Sequence, residues 1–288
     1  MYDDVLCPFD GSEGATDVLH HVSQIAHWAD ATVHLLYVAD TNRDSVTVVE
    51  NEVVDALVQE GRDVVAEGAQ TLRNLGVDHE TDVVQGNPAE TIVDYADSHG
   101  HDLIVMPTRG KEGLSRYLGG SVSEKVVRLS PVPVLTTRMQ ADEEFTFPYE
   151  RILVPTDGSE QATRAVRHAL SLAAALDATV HALSAVEETA LGLDVRSTVA
   201  SEESERAARE AVESVADAAA DYDVTVETHV ERGSPVDVIR DAIESTDSHA
   251  VVMGTTGRRG TDRILLGSVA EKTVRTAPVP VITVGGDD

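Results

Sequence analysis

Short apolar runs alternate along the chain with longer segments in which apolar residues recur every three or four positions. The first run, Val5–Phe9, precedes a helical pattern over residues 13–29, and Ser12 stands where an N-cap is expected. The alternation continues to residue 137 and begins again at residue 152. Strands that alternate with helices predict an α/β fold, with a parallel sheet covered by helices on both faces.

The pattern predicts five strands and four helices in each half of the chain. The predicted strands are Val5–Phe9, Thr32–Val38, Val77–Val84, Leu103–Met106 and Val132–Thr137, and then 152–156, 179–186, 224–230, 250–253 and 279–284. The predicted helices are 13–29, 50–75, 88–99 and 121–129, and then 160–176, 201–220, 235–246 and 268–276.

The second half repeats the first at a fixed offset of 147 residues. The Asp-Gly-Ser-Glu segment at 157–160 corresponds to the same four letters at 10–13, and the register holds to the last predicted strand. A period of this length indicates two copies of one domain and not a solenoid of short repeats. We therefore predict two tandem doubly wound domains, over residues 1–138 and 150–288, joined by a linker over 139–149.

A glycine-rich stretch at residues 254–268 is the segment most suggestive of a ligand site. Gly254 and Gly257 follow an apolar run, and Gly267 comes directly before a helical pattern that opens at Ser268. Glycines leave room for a phosphate and permit positive φ, and a helix N-terminus presents N–H groups. The stretch predicts a phosphate cradle beyond the carboxyl end of a strand, where such sheets bind ligands.

The distribution of charge favours a small anionic ligand. Fifty-one acidic against 22 basic residues give a net charge of −29, which excludes a general nucleic-acid or anionic-membrane surface. Residues 106–128 and 253–275 nevertheless each hold five basic and two acidic side chains. These local cationic segments fit a polyanion, although pairing of the arginines with neighbouring acids stays an alternative. The acidic remainder is typical of a halophilic protein, suited to high salt.

Cysteine usage and hydropathy predict the compartment. Cys7 is the one cysteine and lies in the first apolar run, so a buried structural thiol is expected and no internal disulfide. The sequence has neither a signal-peptide pattern nor an apolar stretch long enough to span a membrane. We therefore expect a cytoplasmic protein without a membrane partner.

The Gly-x2-Gly-x9-Gly-Ser motif at 254–268, together with Pro155-x-Asp157 at the first strand end of the second half, resembles the universal stress protein family. The resemblance covers nearly the whole chain as two tandem copies. It implies a five-stranded parallel sheet of order 3-2-1-4-5 in each half, and it implies that ATP or a related adenine nucleotide is the ligand. Mg²⁺, where present, is expected to bind through the nucleotide's phosphates.

The resemblance also implies which residues bind the nucleotide. Asp157 would face the adenine and ribose, Ala185 would line the base pocket, and the residues that open the last helix would hold the phosphates. The implied set in the second half is Pro155, Asp157, Ala185, Met253, Gly254, Thr256, Gly257, Gly267, Ser268, Val269 and Ala270. The matching set in the first half is Pro8, Asp10, Val38, Met106, Arg109, Gly110, Gly120, Ser121, Val122 and Ser123.

The first copy departs from the motif at its opening position, where Pro107 replaces the glycine. Proline fixes φ near −65° and removes an N–H, so that cradle has one donor fewer. We predict that the second site binds nucleotide more tightly than the first.

Simpler interpretations of the same residues stay open. The Ser-x-x-Glu segments at 121–124 and 268–271 also form capping boxes, which stabilise a helix start by about 1 kcal/mol without a ligand. Both Asp-Gly pairs could serve only as turns. The histidines at 20, 21, 99 and 101 do not recur as a consistent ligand set in the other copy, so a metal site made by the protein is not expected.

The last predicted strand of each half carries a proline, Pro133 or Pro280, which suits an edge strand. Members of the resembled family pair through this strand, which implies a pseudo-dimer of the two halves and leaves a homodimer open.

Three functions remain to be separated. A nucleotide-binding stress protein with a regulatory role and no catalysis is preferred. A weak ATPase or an adenylate-transferring enzyme on the same fold is the alternative, although the sequence has no P-loop and no nucleophile elbow. A chaperone-like scaffold without nucleotide is the third.

Overall fold

A computed structural model describes residues 1–40, 50–108, 122–138, 145–187, 195–256 and 266–285, without the side chains of residues 50–56 and 195–201. The chain divides into two compact units, Met1–Glu144 and Phe145–Gly285, and each has its own sheet order. The boundary falls inside residues 139–149, whose extent as a linker stays a prediction, as does the pseudo-dimer of the halves.

Strands and helices alternate through the first unit. The strands are β1 (Asp4–Pro8), β2 (Thr32–Asp40), β3 (His79–Gly86), β4 (Leu103–Pro107) and β5 (Val134–Thr137), and the helices are α1 (Glu13–Ala29), α2 (Glu50–Leu75), α3 (Pro88–His99) and α4 (Val122–Leu129). All neighbouring strands are parallel, in the order β3-β2-β1-β4-β5. The α/β fold and the 3-2-1-4-5 order are therefore confirmed for this half.

The second unit repeats the arrangement. Its strands are β6 (Arg151–Pro155), β7 (Thr179–Val186), β8 (Val226–Arg232), β9 (Ala250–Gly254) and β10 (Val281–Val284), and its helices are α5 (Glu160–Leu176), α6 (Val195–Ala219), α7 (Pro235–Ser245) and α8 (Ser268–Thr276). The order is β8-β7-β6-β9-β10, again parallel throughout. Strand order reverses between β6 and β9, which creates the crevice where ligands of such sheets bind.

The first helix of each unit begins with the same feature, a serine N-cap. In α1 the Ser12 hydroxyl accepts the Ala15 N–H at 3.2 Å, and in α5 the Ser159 hydroxyl accepts the Ala162 N–H at 3.2 Å. One face of each helix is buried against its sheet. A fully buried side chain such as Leu19 or Leu170 contributes roughly 1.5–3 kcal/mol of transfer free energy, so this face holds the helix in place.

Some strands begin later than the apolar pattern predicts. The prediction starts the third strand at Val77, but Gly76 adopts φ +73° and the Val77 N–H donates to the Leu72 carbonyl at 3.0 Å. That contact ends α2, so Val77 belongs to the helix terminus although it is buried. Likewise the Ser130 hydroxyl accepts the Val132 N–H at 3.0 Å, and this turn delays β5 to Val134.

The predicted structural thiol is confirmed, because Cys7 is buried in β1. Burial disfavours the thiolate and raises the pKa of Cys7 to about 12, so the thiol is unreactive. Among the described residues, no helix combines the length and apolarity that crossing a bilayer requires.

Candidate functional site

The predicted site of the second unit lies where β6 and β9 end side by side. Leu153 of β6 is paired with Val251 of β9, so Pro155 and Met253, two residues further along each strand, close the sheet next to each other. The chain then continues from β6 into the turn that starts α5. It continues from β9 through Thr255 and Thr256 toward the glycine-rich segment.

A backbone hydrogen bond joins the two described ends of the glycine-rich segment. The N–H of Gly267 donates to the carbonyl oxygen of Thr255 at 2.8 Å. Thr255 is buried, and its own N–H donates to the Val284 carbonyl of β10 at 3.3 Å. The start of α8 is thereby tied to the carboxyl end of the sheet. Residues 257–265, including Gly257, lie outside the described part of the chain.

The first turn of α8 presents backbone donors. Gly267 is the N-cap, with φ −63° and ψ 140° and no side-chain cap, and Ser268 is the first helical residue. The N–H groups of Ser268, Val269 and Ala270 therefore have no acceptor within the helix. The N–H of Gly267 was expected to belong to this set. That expectation is corrected, because Thr255 already accepts it.

The capping box predicted at 268–271 is wrong. Ser268 occupies the first helical position and is exposed, so its hydroxyl is not placed as an N-cap acceptor. The Glu271 N–H instead donates to the Gly267 carbonyl at 2.9 Å, as the first regular bond of the helix. The turn that would supply the corresponding Ser121 in the first unit lies outside the described residues. The α8 terminus thus lacks the side-chain cap that would compete with an anion.

Gly254 lies so close to the backbone of α5 that a side chain at this position would have little room. Its φ does not lie in the left-handed region, nor does that of Gly267, so the expectation that these glycines supply positive φ is wrong. A Cβ on Gly254 would come 3.1 Å from the backbone C and O atoms of Gln161 in α5. The glycine therefore lets the first turn of α5 approach the end of β9. The N-termini of α5 and α8 both lie at this strand end.

The aspartates after the first strand of each unit form the same turn. Asp157 Oδ1 accepts the Ser159 N–H at 3.0 Å, and Asp10 Oδ1 accepts the Ser12 N–H at 2.9 Å. The intervening glycines, Gly158 and Gly11, have φ +72° and +69°. The turn interpretation of both Asp-Gly pairs is therefore confirmed. Both aspartates remain half-buried at the sheet edge, where a carboxylate can also meet a ligand hydroxyl.

An apolar wall adjoins these polar groups. Met253 and Ala270 are buried in the core cluster of the second unit, and Ala185, Val269 and Leu266 are partly buried against that same cluster. The end of β7, the end of β9 and the first turn of α8 thus share one hydrophobic neighbourhood. A ligand with an apolar ring and a charged tail matches this combination of surfaces.

The other members of the predicted set lie as follows. In the second unit Thr256 is half-buried directly after Thr255. In the first unit, six residues of the predicted set belong to the described part of the chain. They lie in or directly after strands and at the start of α4: Pro8, Asp10, Val38, Met106, Val122 and Ser123. The first-unit residues Arg109, Gly110, Gly120 and Ser121 lie outside the described residues.

The first unit anchors its last helix differently. The hydroxyl of Ser123, which is buried, donates to the Thr108 carbonyl at 3.0 Å. Thr108 corresponds to Thr255, whose carbonyl receives the Gly267 N–H in the second unit. The Ser123 hydroxyl therefore serves to hold the start of α4 against the sheet.

Sequence reasoning missed Thr255 and Gln161. Thr255 supplies the carbonyl that fixes the loop end, and Gln161 supplies the backbone against which Gly254 packs. Both act through main-chain atoms, so their side chains carry no sequence signal for these roles.

The similarity to known proteins divides the chain into the same two halves as the internal repeat. The model of the universal stress protein family matches residues 1–138 and 148–285. Two universal stress proteins of Methanocaldococcus jannaschii are similar to part of the chain. One is 36% identical over 146 residues, which cover 50% of this chain and 86% of the relative. The other is 33% identical over 155 residues, which cover 48% and 96%.

A solved structure of a universal stress protein from Archaeoglobus fulgidus is similar to this chain over nearly its whole length. It has a TM-score of 0.76 and 23% identity, and the match covers 99% of this chain and 97% of that one. At this identity the match supports the fold alone.

Proposed function

The chain belongs to the universal stress protein family, and from that premise we propose that its second unit binds ATP or a related adenine nucleotide as a regulatory ligand. The phosphates would lie at the N-terminus of α8 and the base against the apolar wall near Ala185. Asp157, at the end of β6, would accept hydrogen bonds from the ribose or the adenine.

The hydrogen bond from Gly267 to Thr255 is the observation that carries this proposal. It holds the uncapped first turn of α8 against the end of β9, so that the N–H groups of Ser268, Val269 and Ala270 are presented together. The positive end of the helix dipole acts at the same point and favours a phosphate. Gly257 and Thr256 would complete the path of the phosphates.

The polar and apolar surfaces together favour a nucleotide over inorganic phosphate. An anion alone needs only the helix terminus, whereas the partly exposed Ala185 and Val269 offer contact to a flat ring. Mg²⁺ would be held mainly by the phosphate oxygens, with a few protein or water ligands.

The first unit is proposed to bind nucleotide more weakly. Pro107 stands in place of Gly254, and the Ser123 hydroxyl is committed to the Thr108 carbonyl. Isothermal titration of the full chain with ATP and Mg²⁺ tests this. One tight and one weak site are expected, whereas two sites of equal affinity would contradict the proposal.

Mass spectrometry of any nucleotide released from the purified protein distinguishes a nucleotide-binding protein from a scaffold that binds none. We expect an adenine nucleotide at close to one equivalent per chain. A protein that carries none, and that binds none in titration, would favour the chaperone-like scaffold.

Turnover under excess ATP and Mg²⁺ separates binding from catalysis. The proposed regulatory role predicts no release of phosphate or diphosphate beyond the uncatalysed rate. Sustained turnover that the site variants abolish would instead establish the enzyme alternative.

A further inference from the structure

Two histidines and a glutamate converge on neighbouring strands of the second unit, away from the proposed nucleotide site. His181 is the third residue of β7, and the strand register pairs it with Glu227 of β8. His229 is two residues beyond Glu227 and so lies on the same face of β8. His181 and His229 are 48 residues apart along the chain, so the cluster forms through the pairing of β7 with β8.

The distances within this cluster suit one small cation. His181 Nδ1 lies 3.1 Å from His229 Nε2 and 3.6 Å from Glu227 Oε2. One ligand atom from each residue lies within 4.8 Å of the others. A tetrahedral ion with bonds of about 2.0–2.2 Å needs its ligand atoms roughly 3.3–3.5 Å apart. Small side-chain adjustments would bring the three atoms to that spacing.

We propose that His181, Glu227 and His229 form a binding site for zinc or a similar divalent transition-metal ion, with the remaining coordination position open to water. Two imidazole nitrogens and one carboxylate oxygen form a ligand set that zinc prefers, whereas Mg²⁺ and Ca²⁺ prefer oxygen ligands alone. Three protein ligands with an open position is the coordination of reactive or exchangeable sites.

The burial of the cluster supports a defined site with access to solvent. The His181 side chain is only 7% exposed, while that of Glu227 is 60% exposed. His181 Nε2 is buried and has no hydrogen-bond partner among the described residues. The polar contacts of this ring therefore all lie on its Nδ1 side, where Glu227 and His229 stand. An ion could enter from the side of Glu227.

One opposing charge lies nearby and is largely compensated. The guanidinium of Arg151 acts electrostatically on His181. It is nevertheless bonded to the Asp247 carboxylate and lies 3.5 Å from the Glu150 carboxylate. These partners reduce its repulsion of a bound cation.

The first unit provides an internal contrast. Its corresponding residues are His34, Glu80 and Asp82, so an aspartate replaces the second histidine. His34 directs Nε2 to the Asp4 carboxylate at 2.8 Å and keeps Nδ1 3.7 Å from Glu80, and Asp82 accepts the hydroxyl of Tyr95 at 3.1 Å. The potential ligand atoms there point to different partners. We therefore expect one ion per chain, held by the second unit.

The ion would clamp β7 to β8 and would be independent of nucleotide. His181 precedes Ala185 by four residues, which is about 13 Å along a strand, so the cluster lies toward the opposite end of the sheet from the phosphate site. The proposal therefore does not rest on the nucleotide assignment.

Titration of tag-free, chelator-treated full chain with Co²⁺ and Zn²⁺, without nucleotide, tests the site. We expect one Co²⁺ per chain with the intense visible absorption of a tetrahedral site, displaced by one equivalent of Zn²⁺. The variant His229→Ala, which removes one ligand outright, should weaken binding by at least the roughly 10- to 100-fold that loss of an outer-shell partner already costs. Glu227→Gln should also weaken binding of the ion. Because the Glu227 side chain is exposed, this change should leave the fold intact, so the loss of binding can be assigned to the ligand.

The matched control is His34→Gln in the first unit, which should leave the stoichiometry and affinity unchanged. The proposal is overturned by the absence of Co²⁺ binding at micromolar concentrations. It is also overturned by binding that survives both His229→Ala and Glu227→Gln, or by binding that His34→Gln abolishes.

Discussion

The N–H of Gly267 donates a 2.8 Å hydrogen bond to the carbonyl of Thr255, across the glycine-rich segment. The bond uses the donor that a phosphate would otherwise take from Gly267, and in exchange it fixes the first turn of α8 at the end of β9. The main chain of Gly267 therefore contributes by positioning the helix. The next three N–H groups remain for a ligand.

Replacing Ser268 by proline tests those donors. Proline is tolerated at the first helical position, and Gly267 already has the extended conformation that a residue before proline prefers. Pro88 and Pro235 open α3 and α7 in the same way. Ser268→Pro removes one N–H and should weaken ATP binding in the second unit roughly 10- to 100-fold, the loss expected for one hydrogen bond to a charged group. Isothermal titration measures the change.

Ser268→Ala is the control, because it removes the hydroxyl and keeps the N–H. Its affinity should lie between those of the wild type and Ser268→Pro, and the melting temperature of both variants should stay near the wild-type value. Wild-type affinity in Ser268→Pro, with the fold intact, would place the phosphates elsewhere.

Gly254→Ala tests whether space or ligand contact explains the glycine. The added methyl would lie 3.1 Å from the main chain of Gln161, which cannot rotate away. We expect a loss of about 1–3 kcal/mol in the free energy of unfolding, even without nucleotide, because overpacking forces α5 to shift. Urea denaturation of the nucleotide-free protein measures it.

Pro107→Ala in the first unit is the matched control, since that unit already accommodates a side chain at this position. It should cost much less stability. If Gly254→Ala is equally harmless while ATP binding falls, ligand contact and not packing accounts for the glycine.

Local signals predicted most of the fold, and long-range contacts explain what they missed. The limits of α1 follow from Ser12 and the apolar face, and the structure keeps the predicted residues 13–29. The delayed start of β3 depends on how Gly76 ends the preceding helix. Thr255 and Gln161 act through backbone atoms, and His181 meets Glu227 only through strand pairing. Such contacts cannot be predicted from the sequence until the register in which the strands pair is known.

Stability should fall in mildly acidic solution because of His21. This side chain is 2% exposed in α1, and burial lowers its pKa from 6.5 to about 4. Between these values the unfolded state holds more protons, so the free energy of unfolding decreases as pH falls from 6.5 toward 4 and changes little further below 4. His21→Leu should remove up to about 3 kcal/mol of this decrease.

Urea denaturation at pH 7 and pH 4.5 measures the effect as a difference between variants, which cancels the titration of the many acids. His20→Leu, at the exposed neighbouring position, is the control for placing a leucine on α1. An unchanged slope in His21→Leu would show that His21 is protonated in the folded state as readily as in the unfolded one.

Asp30 offers a route to higher stability at a position outside the proposed nucleotide and metal sites. It ends α1 with φ 56° and ψ 40°, and its N–H donates to the Ala26 carbonyl. The left-handed conformation costs a non-glycine residue free energy, and a carboxylate at the negative end of the helix dipole adds to that cost. Asp30→Gly should therefore raise the free energy of unfolding by about 0.5–1 kcal/mol, allowing for the greater entropy of unfolded glycine.

Asp30→Asn separates the two causes, because asparagine bears a left-handed cost similar to that of aspartate and carries no charge. A gain in Asp30→Asn equal to that of Asp30→Gly would assign the effect to the dipole, and a smaller gain would assign the remainder to backbone strain. Asp177 ends α5 with φ 55° and is the counterpart of Asp30. Since the two caps lie in separate helices, the gains from Asp30→Gly and Asp177→Gly should add within about 0.5 kcal/mol. Thermal unfolding in which neither change helps would mean that the aspartates form compensating contacts at these helix ends.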